Sequence, residues 1–275
     1  MKKICAGIVT YNPDISRLKE NICSVDNQVN MIFLFDNGSD NVEKIELLLK
    51  ELGGPFEIEK NGSNSGIAFA LNRLIEKAYE KHYDWMLTLD QDTVVNNHLI
   101  EKYTPFLNMP DVGLLSCQIK DRNVNIEPKK MPATGYQNVK KCITSGTLTN
   151  IKKTLDIGGF DEKLFIDCVD DDICYTMKEN GYRTIQINYI GILHEIGKSK
   201  AVKLGKNVYA VNNHNVLRKY YISRNSVYMI KKHKLNPIKE YFYIYRRFLT
   251  VLFFEKNKKE KIVAMLKGIK DGKKM

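Results

Sequence analysis

The run Trp85-Met86-Leu87-Thr88-Leu89-Asp90-Gln91-Asp92 decides the fold. Five uncharged, mostly apolar residues have the length of a strand buried on both faces, and two carboxylates follow at once. Upstream, Ile4 to Thr10, Met31 to Phe35 and Phe56 to Lys60 read as three more strands. The segments between them have helical spacing. Ile15, Leu18, Ile22 and Val25 recur behind Pro13-Asp14, a good N-cap pair. Val42 to Leu52 reads as a helix, and Ile67, Leu71, Leu74 and Ala78 line one face of another. This βαβαβαβ alternation predicts an α/β fold with a mostly parallel central sheet flanked by helices.

Each strand runs into a polar cluster: Thr10-Tyr11-Asn12, Asp36-Asn37-Gly38-Ser39-Asp40, Asn61-Gly62-Ser63-Asn64-Ser65-Gly66, and Asp90-Gln91-Asp92. Any one alone is an ordinary turn, since Asn, Asp and Gly dominate turns. Four at the carboxyl edge of one sheet, where open α/β sheets bind ligands, predict a shared site. No G-x-G-x-x-G or P-loop follows the first strand, which argues against a dinucleotide fold or P-loop enzyme.

The acidic residues carry the chemistry. Asp90 and Asp92 are two apart in extended chain, so both carboxylates can address one cation, and hard oxygen ligands suit Mg2+ or Mn2+. The competing reading makes Asp92 the cap of a helix beginning near Val94. A second cluster spans Asp161, Glu162, Asp167 and Asp170-Asp171-Asp172, ahead of a helix that ends at Asn180-Gly181. Its last three acids fall in the first turn, where the helix dipole favours negative charge; one of them could also take a proton from an attacking hydroxyl. His194, after the strand-like run Asn188 to Leu193, is a candidate further metal ligand or diphosphate contact.

In order along the chain, Ile8 to Asn12, Asp36 to Asp40, Asn61 to Asn72, Asp90 to Asp92, Ser145-Gly146, Gly158 to Glu162, Asp170 to Asp172 and His194 resemble the family 2 glycosyltransferases. These are nucleotide-sugar transferases of the GT-A fold, and the match covers about the first 200 residues. Phe165-Ile166-Asp167 with Val169-Asp170 is most similar to the bacterial rhamnosyltransferase branch, which typically uses dTDP-L-rhamnose. The resemblance implies that Thr10, Tyr11 and Asp36 hold base and ribose, with Asn12 beside them and Asn64 and Gly66 closing that pocket. Asp90 and Asp92 would lie at ribose and metal, Ser145 and Gly146 at sugar and acceptor, and Arg224 near nucleotide or acceptor. Asp170 matches the catalytic base of an inverting enzyme. Family members commonly read Glu-Asp there, and Val169 replaces the Glu, so Asp167 and Asp171 stay open as alternative bases. The Q-x-x-R-W motif of processive synthases is absent, which implies one sugar per encounter.

The charge is divided. The formal net charge is +11, yet residues 200 to 275 hold 20 Lys+Arg and 4 Asp+Glu, while the rest of the chain is mildly acidic. We expect a GT-A catalytic domain over 1–200 and a basic, aromatic helical extension over 201–275. Its helices are predicted over Asn213 to Lys232 and Ile238 to Phe254, with an apolar stripe of Ile262, Leu266 and Ile269 beyond. The readings for this piece are core packing, a nucleic-acid surface, which no motif supports, and a helix pair lying on an anionic membrane. The last fits a saccharide or polyprenyl-linked acceptor. No signal peptide or spanning segment is recognised, and the six scattered cysteines suit a reducing compartment. The expected location is therefore cytoplasmic, on the inner face of the cell membrane. The alternatives are a UDP-sugar-dependent hexosyl- or furanosyltransferase and a non-catalytic carbohydrate- or lipid-binding scaffold.

Overall fold

The computed structural model describes residues 2–121, 135–194, 200–204, 207–211 and 213–275, with backbone alone at 121, 194, 200–204 and 207–211. Strand β1 (Ile4–Thr10) is buried at every position, as an uninterrupted apolar run covered on both faces must be. Helix α1 (Ile15–Val25) begins where the Asp14 carboxylate accepts from the N–H groups of Ser16 and Arg17, and it buries Leu18, Ile22 and Val25. Strand β2 (Ile32–Asp36), helix α2 (Val42–Leu52), strand β3 (Phe56–Lys60), helix α3 (Ile67–Glu80) and strand β4 (Trp85–Asp90) follow. β1 pairs in parallel with β2 and β4, and β2 in parallel with β3.

The rest of the sheet is mixed. It contains β5 (Val94–Val95), α4 (Leu99–Tyr103), β6 (Val112–Asp121), β7 (Tyr136–Asn138), β8 (Thr147–Asn150), α5 (Ile151–Asp156), α6 (Val169–Glu179) and β9 (Arg183–His194). Among the described residues these nine strands form one sheet in the order β3-β2-β1-β4-β8-β6-β9-β5, with β7 on β9. β8 runs antiparallel to both β4 and β6, while β6 and β9 are parallel. The apolar core joins Trp85, Leu87, Leu115, Leu148 and Ile185 from the central strands to Leu18, Ile22 and Tyr103 from the helices.

The chain divides into two compact units, residues 1–163 with 170–195, and residues 164–169 with 196–275. The second unit holds the hairpin β10 (Lys200–Leu204) and β11 (Asn207–Val211), then α7 (Val216–Lys232), α8 (Pro237–Phe254) and α9 (Lys258–Lys274). α9 lies hard against α7 because Gly268 and Gly272 leave no Cβ between them; a side chain at either would meet the backbone of Tyr220 or Arg224. The packing face of α9 is therefore Lys261, Met265, Gly268 and Gly272. The predicted stripe is split: Ile262 and Ile269 are half-buried and Leu266 is exposed.

Two buried ammonium groups hold the same unit together. Lys219 and Lys261 reach opposite oxygens of buried Glu255 at 2.5 and 2.9 Å, and Lys261 also donates to Asn213 at 2.7 Å. Burial opposes ionisation of Glu255, but the hydrogen bonds from Lys219 and Lys261 outweigh it and hold its carboxyl below the ordinary value.

Candidate active site

The four polar clusters meet at the carboxyl edge of the parallel strands, all within the first unit. Thr10 donates its hydroxyl to Asp36 at 3.0 Å, and the second Asp36 oxygen accepts from the Ser39 N–H at 2.9 Å. Asp36 is 1% exposed, so its carboxylate chiefly fixes the loop after β2. Ser39 in turn accepts from the Asn12 N–H, and Asn12 accepts from the Asp40 N–H, both at 2.8 Å. Asn37 ties the second cluster to the third: it donates to Asn64 and to the Gly66 carbonyl at 3.1 Å and accepts from Ser65. Gly66, at φ 92°, turns the chain into α3 where a side chain would strain it. Tyr11 is left 47% exposed above this bonded floor.

Gln91 binds the first cluster to the fourth. It accepts from the Tyr11 N–H at 2.8 Å, a link across 80 residues that no local spacing reveals. The backbone of Asp90 is pinned on both sides, and one of its partners is itself fixed. Its N–H donates to the Ser145 hydroxyl at 3.0 Å, its carbonyl accepts from Asn21 at 2.6 Å, and Ser145 is itself bonded to Thr93 at 2.7 Å. Ser145 is thus buried and occupied in holding Asp90. Gly146, at φ 77°, approaches Ile192 too closely for a Cβ and gives its carbonyl to the Tyr103 hydroxyl. Asp92 caps no helix, because β5 follows it directly. Its carboxylate is partly exposed and, among the described residues, has no hydrogen-bond or ion-pair partner.

Asp170, Asp171 and Asp172 occupy the first turn of α6, as the sequence predicted. Their environments differ. Asp171 pairs with Lys141 at 2.5 Å, and Asp172 is buried. Asp170 accepts from the Thr144 N–H at 3.1 Å. Burial pushes its pKa up to about 6; the charges of Asp90 and Asp171 add to the shift and the Thr144 contact opposes it. Because Thr144 holds Asp170 and its neighbour Ser145 holds Asp90, the start of α6 and the carboxyl edge of β4 meet at one place. Asp167 belongs to the second unit and is differently engaged, with the Arg218 guanidinium contacting both its oxygens at 3.0 to 3.2 Å. Asp167 and Cys168 both have positive φ, and Asn225 holds that bend through the carbonyls of Ile166 and Asp167.

Asp90 and the unpartnered carboxylate of Asp92 offer hard oxygen donors, a chemistry that suits Mg2+ or Mn2+. Among the described residues no group of three or more His, Cys, Asp or Glu side chains could hold a metal by itself. The backbone of His194 ends β9, and its side chain lies outside the described residues. Arg224, in the second unit, packs over the Tyr221 ring at 4.7 Å and donates to Asn225 at 2.8 Å. Of the cysteines, Cys5, Cys117 and Cys174 are buried, Cys142 and Cys168 are half-buried and Cys23 is exposed.

A cleft of about 840 Å3 opens instead at the amino ends of β1 and β4, beside Lys2, Asp84 and Lys153. Its polar groups already serve the fold. Asp84 is bound by Lys2 and the Lys3 N–H, and Lys153 by the carbonyls of Pro110 and Val112. The gathered carboxylates, one of them Asp170 with its raised pKa, favour the carboxyl edge over that cleft.

The carboxyl edge of the parallel strands thus gathers Asn-rich loops, an Asp-x-Asp turn and, beside them, a half-buried carboxyl with a raised pKa. The family model for Glycosyl transferase family 2 matches residues 5–164, and the chain belongs to that family. It is 30% identical to a dTDP-rhamnosyl transferase, RfbF, of Shigella flexneri, over 97% of this chain and 95% of that relative. Solved structures share the fold at lower identity. The S. aureus TarS 1–349 complex with UDP-GlcNAc superposes with a TM-score of 0.66 at 14% identity, covering 98% of this chain and 81% of that one. The mannosyltransferase PcManGT from Pyrobaculum calidifontis, solved with GDP-Man and Mn2+, gives 0.61 at 11% identity over 98% and 73%. The protein is a glycosyltransferase with a GT-A fold.

Proposed function

We propose that this glycosyltransferase moves L-rhamnose from dTDP-L-rhamnose to a hydroxyl of a lipid-linked or oligosaccharide acceptor in bacterial surface-polysaccharide synthesis, inverting the anomeric carbon. The observation that carries the mechanism is Asp170, a largely enclosed carboxyl held by the Thr144 N–H with its pKa raised to about 6. A base tuned to this range is ionised at neutral pH yet strong enough to accept a proton. Asp170 takes the proton of the acceptor hydroxyl as that oxygen attacks the anomeric carbon. The bond from that carbon to the diphosphate oxygen breaks, and the nucleoside diphosphate leaves with the electron pair. One displacement needs one base. Asp171 and Asp167 are less suited to the role, since Lys141 and Arg218 already bind their carboxylates.

Thr10, Tyr11, Asn12, Asp36, Asn64 and Gly66 form the nucleoside end of this site, Tyr11 offering an exposed ring and the others a preformed loop scaffold. Asp92, with Asp90 behind it, would hold Mg2+ or Mn2+. The ion, when bound, offsets the charge that develops on the departing diphosphate. Donor choice rests on the rhamnosyl transferase relative, and the acceptor's class on the basic second unit, with the enzyme working at the cytoplasmic face of the membrane.

A thermal-shift series with Mn2+ tests this reading. dTDP-L-rhamnose should raise Tm, by an amount corresponding to about 2.7 kcal/mol at 100 times Kd. Asp92→Asn should remove most of the metal-dependent part. A shift with UDP-sugars alone would reassign the donor, and no shift with any nucleotide would leave a non-catalytic scaffold.

A further inference from the structure

The second unit leaves an apolar surface uncovered on α8. Only Ile244 and Val251 of its 18 residues are buried. Ile238, Phe242, Tyr245, Leu252 and Phe253 recur at intervals that keep them on one side of the helix, with exposures of 82, 57, 57, 46 and 64%. An isolated exposed apolar residue needs no explanation, but a continuous stripe of this kind does. The helix is about 27 Å long at 1.5 Å per residue. No helix among the described residues is long and apolar enough to cross a membrane.

Charge identifies the occupant. Lys239 and Arg246 are exposed on α8 beside the stripe; Lys256, Lys258 and Lys259 are exposed just beyond it. Lys256, Lys258 and Lys259 have no ion pair among the described residues. Residues 200 to 275 carry +16 overall. A second copy docking through the same stripe would set like charges against each other, because a two-fold interface brings identical patches together. An anionic bilayer satisfies both features: the apolar side chains enter the headgroup and acyl boundary while the ammonium and guanidinium groups meet lipid phosphates.

We infer that α8 is an in-plane membrane anchor, its Ile238–Phe253 stripe seated in the interface of an anionic bilayer. This deepens the reading of a membrane-borne acceptor and rests on it. It also narrows the lipid contact from the helix pair expected from the sequence to the aromatic helix of that pair. α9 contributes charge, while its own packing face is spent on α7.

The test uses the full chain with phosphatidylglycerol and phosphatidylcholine vesicles. The wild type should co-sediment at least about tenfold better with phosphatidylglycerol, and salt at about 0.5 M should reduce that preference. Phe242→Ser with Phe253→Ser should lose most of the binding. The sole tryptophan, Trp85, is buried, so Phe242→Trp adds the one reporter able to see the bilayer, and its emission should shift to the blue on phosphatidylglycerol vesicles. A donor-induced thermal shift retained by the serine variant shows that it is folded and keeps the nucleotide site. Donor shift without vesicle binding overturns the anchor alone; vesicle binding without donor shift overturns the transferase reading instead. Equal binding by the serine variant overturns the anchor, as does a wild-type dimer that those serines dissociate.

Discussion

Asp170 shows how neighbours set what a carboxyl can do. Three consecutive acids begin α6, yet one is paired with Lys141, one is buried, and only Asp170 combines enclosure with a raised pKa. Its ordinary value is 3.8 and its folded value about 6, so the native state holds this proton more tightly than the unfolded chain. The group therefore favours folding at low pH, and that contribution is lost as pH rises from about 4 through about 6. Two outcomes follow. Transfer measured as kcat/KM should have an acidic limb with an apparent pKa near 6, shifted downward when Mn2+ occupies the site. Asp170→Asn keeps an oxygen for the Thr144 N–H and removes an unfavourable charge, so its melting temperature at pH 7 should equal or exceed the wild type's while transfer is lost. At this scale the acidic residues were legible, because an Asp-x-Asp pair and a helix-initiating acidic run have recognisable chemistry. Gln91, Thr144 and Lys141 were not, since their partners lie 80, 26 and 30 residues away.

Among the elements, the parallel half of the sheet was readable and the mixed half was not. β1 to β4 are bounded by turn clusters and separated by helices with clear apolar spacing. β6 and β9 pair with register shifts near Gly113 and Cys117, and Gly191 faces Cys117 where a Cβ would collide. Irregular strands of this kind have no clean two-residue period to read. The terminal helices were legible as helices, but their faces were not: two glycines and a lysine join Met265 on the packing surface of α9, contrary to simple hydrophobic patterning. The buried Lys219-Glu255-Lys261 group joins the ends of these helices and predicts a large mutational effect. Glu255→Gln leaves two buried ammonium groups without their counter-charge and should destabilise the protein by about 3–5 kcal/mol in urea titrations at pH 7. Because the folded pKa of Glu255 is depressed, its contribution is present above about 4.5 and lost as pH falls through the folded value. The wild type and Glu255→Gln should therefore converge in stability at acid pH.

The whole molecule separates its charges by task. The acidic first unit collects Asp90, Asp92 and Asp170 at one sheet edge, and the second holds the +16 of residues 200 to 275. The net charge of +11 is the sum of a mildly acidic first unit and a strongly basic second one. That division was visible in the sequence, as was the parallel half of the sheet; the contacts of residues 165–167 with Asn225, Arg218 and Tyr221, made across more than 50 residues, were not. The central claim is that Asp170 is the base of a single-displacement sugar transfer. Its most direct test is release of dTDP from dTDP-L-rhamnose, with Mn2+ and a lipid-linked saccharide acceptor, by the wild type and by Asp170→Asn, with donor affinity measured in parallel. The account predicts acceptor-dependent release by the wild type, a fall of at least about a thousandfold in the variant, and donor affinity within about threefold of wild type. Undiminished turnover by Asp170→Asn at matched donor occupancy would contradict it.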